Sequence, residues 1–172
     1  MAERQEDRDQ QDLKWRAWLE RMDEQLKRFL GETVPDMPDN PWTAEGLRRA
    51  EEAALRFFAD MDSVDLPENS DRADQFHRFI GEVFRRNFEG EWYNVHDYDD
   101  PKNPRGFGPV ILDPFSAEYL TIFSLLTSAM HRRTGNEWSE IFRNVSEEYD
   151  AWCAAGRPSR VEWANIRDAE WL

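Results

Sequence analysis

The residues best suited to chemistry form one short run, His96-Asp97-Tyr98-Asp99-Asp100, followed by a proline. One imidazole and three carboxylates within five positions are ligands that a hard divalent cation accepts. The glycine and glutamate spacing of an EF-hand is missing here, so two further interpretations stay open. A charged recognition loop would present Asp97, Tyr98, Asp99 and Asp100 to a partner, whereas a plain polar loop would only discourage edge-to-edge strand pairing.

A second candidate site is a pair of tryptophans, Trp15 and Trp18, three positions apart in a helical pattern. Large aromatic side chains are frequent anchors of protein interfaces, so this pair could be a docking face for a partner or a second copy of the chain. Large aromatics are also the side chains that a domain most readily buries. In that case the helix packs on its own domain.

Catalytic motifs are missing from the sequence. It has no P-loop, no dinucleotide-binding glycine pattern and no Gly-x-Ser-x-Gly elbow, and Gly106 and Gly108 suit a turn rather than a phosphate cradle. His77 is expected at a helix boundary or surface, His131 at a helix C-terminus, and Cys153 on an apolar stripe. The sequence therefore predicts no catalytic residue, no bound metal and no cofactor.

The charge balance limits the classes of partner. The chain has 22 Lys and Arg against 36 Asp and Glu, a formal net charge of −14. Such a field repels nucleic acids and anionic membranes, and it attracts basic proteins. We therefore expect a protein partner that is basic, no direct nucleic-acid binding and no membrane association. The charged N-terminus, the short apolar runs and the single cysteine favour a cytoplasmic protein.

The elements that must position these residues are mostly helical. Apolar residues recur every three or four positions at about 12–30, 43–61, 71–88, 116–134 and 136–155, with a last short helix within 161–172. Residues 92–95 and 110–112 alternate instead, which predicts a β-hairpin with a long acidic tip. The expected fold class is α+β, mostly α, with about five helices and one β-hairpin between the third and fourth helices.

The same pattern suggests how the chain is organised. Residues 1–11 are charged and lack an apolar run, so we expect a disordered arm. Residues 12–62 form an N-terminal helical pair around a proline-rich linker, and residues 63–172 form a helix–hairpin–helix core with C-terminal helices. Together they are expected to make one compact domain. Gly81, in the middle of the third helix, predicts the close approach of a neighbouring backbone.

Two stretches, FIGEVFRRNFEGEW at 79–92 and GPVILDPF at 108–115, resemble a pattern found in bacterial domains of unknown function. Some domains of that kind occur in accessory and toxin-immunity proteins. The resemblance covers about residues 79–115 and implies a helix–hairpin–helix fold. It transfers no functional residue to this chain.

These observations favour a non-enzymatic, acidic protein-binding protein, most concretely an immunity-type inhibitor of a basic toxin or nuclease. The residues expected to bind are Asp97, Tyr98, Asp99 and Asp100, with Trp15 and Trp18 as the second surface. One alternative is a homo-oligomeric accessory or scaffold protein that associates through the tryptophan pair. Another is a metal-dependent regulator or an unrecognised enzyme that uses the acidic loop at 96–100.

Overall fold

The structure is a computed structural model that describes residues 5–95 and 106–170. It confirms the α+β, mostly helical class, with 67% helix and a small antiparallel sheet. The expected count was wrong, because the described residues form nine α-helices and three strands rather than five helices and a hairpin. In chain order these are α1 (Gln5–Gln10), α2 (Leu13–Glu20), α3 (Met22–Arg28), a π-helical turn (Phe29–Thr33), α4 (Ala44–Phe57), α5 (Met61–Val64), a 3₁₀ turn (Pro67–Asn69), α6 (Ser70–Asn87), β1 (Glu91–Asn94), β2 (Pro109–Leu112), β3 (Leu120–Thr121), α7 (Ile122–Arg132), α8 (Glu137–Ala154) and α9 (Arg160–Glu170).

The sheet has the strand order β1-β2-β3, and both strand pairs are antiparallel. Trp92 lies opposite Ile111, and Ile111 lies opposite Leu120, so all three side chains share one face. This face packs on the core, where Ile111 is completely buried. The opposite face of β1 therefore carries Glu91 and Tyr93.

Helix α6 is the central helix, and the sheet packs directly against it. A Cβ atom placed on Gly81 would lie 2.0 Å from the Trp92 indole ring, so only glycine leaves room for that ring. The indole Nε1 donates a hydrogen bond of 2.7 Å to the Glu82 carboxylate, which also pairs with Arg85 and Arg86. The group that Gly81 admits is therefore a side chain, not the backbone that the sequence suggested.

The first predicted helix is divided in the structure. Helix α2 ends and α3 begins around Arg21, and a π-helical turn follows α3. The buried Arg78 guanidinium donates through Nη1 to the Trp18 carbonyl at 2.7 Å. A continuous α-helix would use that carbonyl for the Met22 N–H, so the arginine competes with the helical hydrogen bond at the break. Sequence periodicity within one helix does not reveal such a contact between two helices.

The N-terminal arm also differs from its prediction, because Gln5–Gln10 form α1 within the stretch expected to be disordered. The side-chain amide of Gln10 donates through Nε2 to the Asn94 backbone carbonyl and accepts through Oε1 from the Asn94 backbone N–H, each at 2.8 Å. The Asn94 side chain donates in turn to the Asp9 carbonyl at 2.7 Å. Gln10 thus occupies the outer edge of β1 as a neighbouring strand would, and this pairing fixes α1 in place.

The fourth predicted helix begins later than its cap suggested. Helical spacing placed its start at Ser116, whereas the structure has β3 at Leu120–Thr121 and starts α7 at Ile122. Leu120 and Thr121 pair with Ile111 and Val110 of β2. A third strand next to the hairpin therefore replaces the first helical turn.

Helix α8 begins after Asn136, as predicted, but a distant side chain caps it. The Glu51 carboxylate on α4 is completely buried and accepts the N–H groups of Glu137 at 3.1 Å and Trp138 at 2.9 Å. One hydrophobic cluster extends from Trp15 to Trp163, so the helices of residues 12–62 and those of 63–172 pack on the same core. Among the described residues, no helix is both long and apolar enough to cross a membrane.

Candidate functional site

The predicted recognition residues Asp97, Tyr98, Asp99 and Asp100 lie outside the described residues, and their role stays a prediction. The structure does describe the strands that lead into and out of this segment. The Val95 N–H donates to the Gly108 carbonyl at 2.9 Å, and the Gly108 N–H donates to the Asn94 side chain at 2.9 Å. These bonds hold Val95 and Gly108, which flank the segment on its two sides, at the open end of the β1–β2 pair.

The outward face of the sheet beside this segment carries two stacked tyrosines. The rings of Tyr93 and Tyr119 are nearly parallel, with 6° between their planes and 5.9 Å between their centroids. Tyr119 is 41% exposed and Val95, which follows β1, is 40% exposed. Exposed aromatic and aliphatic area of this kind is typical of protein-binding surfaces.

The charged residues that lie next to the tyrosines in the sequence are negative. Glu91 precedes Tyr93 by two positions on the same face of β1, and Glu118 directly precedes Tyr119; both glutamates are exposed. The sequence contains no lysine or arginine at 87–95 or at 106–130. We refer to Glu91, Tyr93, Val95, Glu118 and Tyr119 as the acidic face.

The second predicted site, Trp15 and Trp18, lies inside the domain. Trp15 is 2% exposed, Trp18 is 7% exposed, and the two rings stack with centroids 5.4 Å apart. Trp18 also donates through Nε1 to Asp74 at 2.7 Å and lies 4.1 Å beneath the Arg78 guanidinium. A docking role for these tryptophans stays a prediction, and it would require α2 to leave the core.

A cleft of about 500 Å³ lies between α2, α3 and the start of α6. Its two carboxylates already accept hydrogen bonds from the domain itself. Asp74 accepts from Trp18 and Arg78, and Asp71 accepts from Arg28. These bonds join α2 and α3 to α6, so the polar groups of the cleft explain how the helices are held together.

One buried acid has an unusual pKa. Asp113, at the end of β2, is 5% exposed, and its Oδ1 accepts no hydrogen bond from the described residues. The pKa of this carboxyl is raised to about 7, chiefly by burial and also by the negative charge of Glu148, while the charge of Arg160 acts in the opposite direction. Arg160 donates through Nε to the Asp113 backbone carbonyl at 2.9 Å rather than to the carboxyl. With so little exposure the carboxyl has no access to a substrate, so its ionisation bears on stability.

The histidines and the cysteine occupy packing or surface positions. His77 was expected at a helix boundary or surface, but it is buried within α6, and its ring lies 4.5 Å from that of Phe123. His131 is exposed in the last turn of α7, as predicted, and Cys153 is a half-buried free thiol packed against the core. Among the described residues, no three or more His, Cys, Asp or Glu side chains are grouped to hold a metal ion.

Sequence reasoning missed the tyrosine pair. The alternation of Glu91, Tyr93 and Val95 with Trp92 and Asn94 did indicate that Tyr93 faces away from the core. Tyr119 was assigned to a helix, so nothing in the pattern placed it near Tyr93. Only the pairing of β3 with β2 brings the two rings together.

Comparisons of the chain with protein-family models, with curated proteins and with solved structures find no match. The resemblance of residues 79–115 to bacterial domains of unknown function therefore stays a prediction.

Proposed function

We propose that this chain is a non-enzymatic, acidic protein that binds a basic protein partner, most concretely as an immunity-type inhibitor of a basic toxin or nuclease. The observation that carries the proposal is the acidic face, which exposes tyrosine and carboxylate side chains beside the segment that contains Asp97, Asp99 and Asp100. In this proposal the segment and the acidic face together form the binding surface.

Two physical effects, electrostatic attraction and the burial of apolar area, support this proposal. The net charge of −14 accelerates the encounter with a basic protein and makes that encounter sensitive to salt. The exposed Tyr119 ring, the half-buried Tyr93 ring and the aliphatic Val95 add apolar area that leaves water on binding, which holds the complex once it has formed. Long-range attraction and short-range burial thus act at the same surface.

The proposal is tested by purifying the tagged protein from its native cells at low and moderate salt, followed by mass spectrometry. We expect a basic protein in stoichiometric amount, recovered at low salt and depleted at moderate salt, because screening weakens surface electrostatics. Recovery of the chain alone at both salt concentrations would contradict the proposal. Light scattering would then test self-association.

Replacing Asp97, Asp99 and Asp100 with asparagine is expected to weaken binding of that partner about tenfold at low salt. Each lost surface charge pair contributes roughly 0.2–1 kcal/mol, and the three changes act on one surface. Titration calorimetry with the purified partner measures the effect. A variant with Asp23, Asp39 and Asp168 changed to asparagine is the matched control, because it removes the same charge at exposed positions elsewhere. If the two triple variants bind the partner with equal affinity, the segment is not part of the binding surface.

A further inference from the structure

We propose that Tyr119, with Glu91 and Glu118 beside it, binds an arginine side chain of the basic partner. The inference rests on the proposed function and specifies the chemical group that the acidic face recognises. It follows from the exposure of the Tyr119 ring, from the two exposed glutamates near it in the sheet and in the sequence, and from the way the chain holds its own arginines.

The ring geometry leaves Tyr119 accessible to a cation. Tyr93 stacks on one side of the Tyr119 ring, yet Tyr119 remains 41% exposed. Part of the Tyr119 side chain is therefore accessible to solvent although Tyr93 stacks on it. Stacking on Tyr93 also restricts rotation of the ring, so less side-chain entropy is lost when a partner group packs on it.

The carboxylates complete the binding chemistry. The electron-rich face of a tyrosine ring attracts a guanidinium, and a carboxylate accepts paired hydrogen bonds from the same group. Glu118 is adjacent to Tyr119 in sequence, and Glu91 lies on the outward face of β1 with Tyr93. Among the described residues, no arginine or lysine lies over the Tyr119 ring.

The protein already contains this combination at more than one place among the described residues, and two examples show its geometry. The Arg78 guanidinium lies 4.1 Å above the Trp18 ring and donates to Asp74 at 2.7 Å. The Arg86 guanidinium lies 3.8 Å above the Trp42 ring and donates to Glu82 at 2.8 Å. In both places an aromatic ring and a carboxylate hold one arginine from two sides, as the acidic face would.

Arginine fits this site better than lysine does. The guanidinium is flat and weakly hydrated, so it stacks on a ring while its N–H groups reach a carboxylate. The lysine ammonium is a compact, strongly hydrated charge that loses more water when it contacts a ring. The site therefore distinguishes between two side chains of equal charge.

The experiment uses the full-length protein and two synthetic peptides, one alternating glycine with arginine and the other alternating glycine with lysine, at equal length and low salt. Fluorescence anisotropy measures both affinities. We expect the arginine peptide to bind about threefold to tenfold more tightly. Tyr119→Leu should abolish this preference, and Tyr119→Phe should retain it because phenylalanine keeps the aromatic face. Glu118→Gln should weaken binding of the arginine peptide more than Glu147→Gln, which removes an exposed charge on α8.

The outcomes separate this inference from the proposed function. Equal binding of the two peptides, unchanged by Tyr119→Leu, would overturn arginine recognition and leave the binding of basic partners intact. Failure of the wild-type protein to bind either peptide at low salt would count against both. Thermal unfolding of each variant confirms that it is folded, so a lost preference is assigned to the ring.

Discussion

Replacing Gly81 with alanine is expected to destabilise the protein by about 2 kcal/mol. A methyl group at this position would lie 2.0–2.9 Å from three atoms of the Trp92 indole, so the ring or helix α6 must move. Overpacking of a filled core costs roughly 1–3 kcal/mol, and the loss of the Trp92–Glu82 hydrogen bond adds to that cost. Alanine gains about 1 kcal/mol of helix propensity, which offsets part of it. Urea denaturation measures the result.

Two further variants identify the cause of this destabilisation. Trp92→Phe removes the distal indole atoms, so Gly81→Ala should cost much less in that background than in the wild-type protein. Gly31→Ala is the matched control, because no atom lies within 4 Å of a Cβ at that exposed helical position, and it should be neutral or slightly stabilising. An equal cost of Gly81→Ala with and without the indole would contradict the packing of the sheet on α6.

Replacing Asp113 with asparagine is expected to stabilise the protein above neutral pH and to change little near pH 4. Burial, with Glu148 nearby, raises the pKa of the Asp113 carboxyl from 3.8 to about 7 despite the opposing charge of Arg160. Between these values the folded state keeps a proton that the unfolded state has lost. The contribution of this group to stability therefore falls as pH rises from about 4 to 7 and is constant above that range. The full difference corresponds to at most about 4 kcal/mol.

This dependence is measured by denaturing the wild-type protein and Asp113→Asn at several pH values between 4 and 8. The difference in unfolding free energy between the two should grow with pH and level off near pH 7. Asp168→Asn, at an exposed position, is the control and should show no such trend. A constant difference across the range would mean that Asp113 ionises in the folded protein as it does in the unfolded chain.

Local sequence patterns predicted the helices that pack through a single apolar stripe. Helix α8 begins after Asn136 and α4 begins after Thr43, whose hydroxyl accepts the Gly46 N–H at 3.2 Å as an N-cap. The break in the first predicted helix and the presence of α1 depend on contacts between segments that are far apart in the sequence. Arg78 interrupts the first helix at the Trp18 carbonyl, and Gln10 fixes α1 against Asn94. Neither partner is adjacent in sequence, so periodicity could not predict these contacts.

The residues of the candidate site likewise differ in how far the sequence alone indicates them. The acidic residues next to β1 could be recognised from composition, because a run of aspartates interrupts an alternating pattern. Tyr119 could not be recognised, because its role depends on β3, which pairs only two residues with β2. Helical spacing is a stronger local signal than a two-residue strand, so it assigned Tyr119 to the wrong element. The Trp18 ring likewise packs against Asp74 and Arg78 of α6, a helix that begins about fifty residues later.

The most direct test of the proposed binding surface is carbodiimide cross-linking of the full-length chain to the basic partner recovered by purification. This reagent joins a carboxylate to a lysine amine in contact with it, so each link identifies an acid at the interface. We expect links at Glu91 and Glu118 and within the segment that contains Asp97, Asp99 and Asp100. Links confined to acids elsewhere, such as Asp62 on α5 and Glu147 on α8, would contradict the assignment of the acidic face.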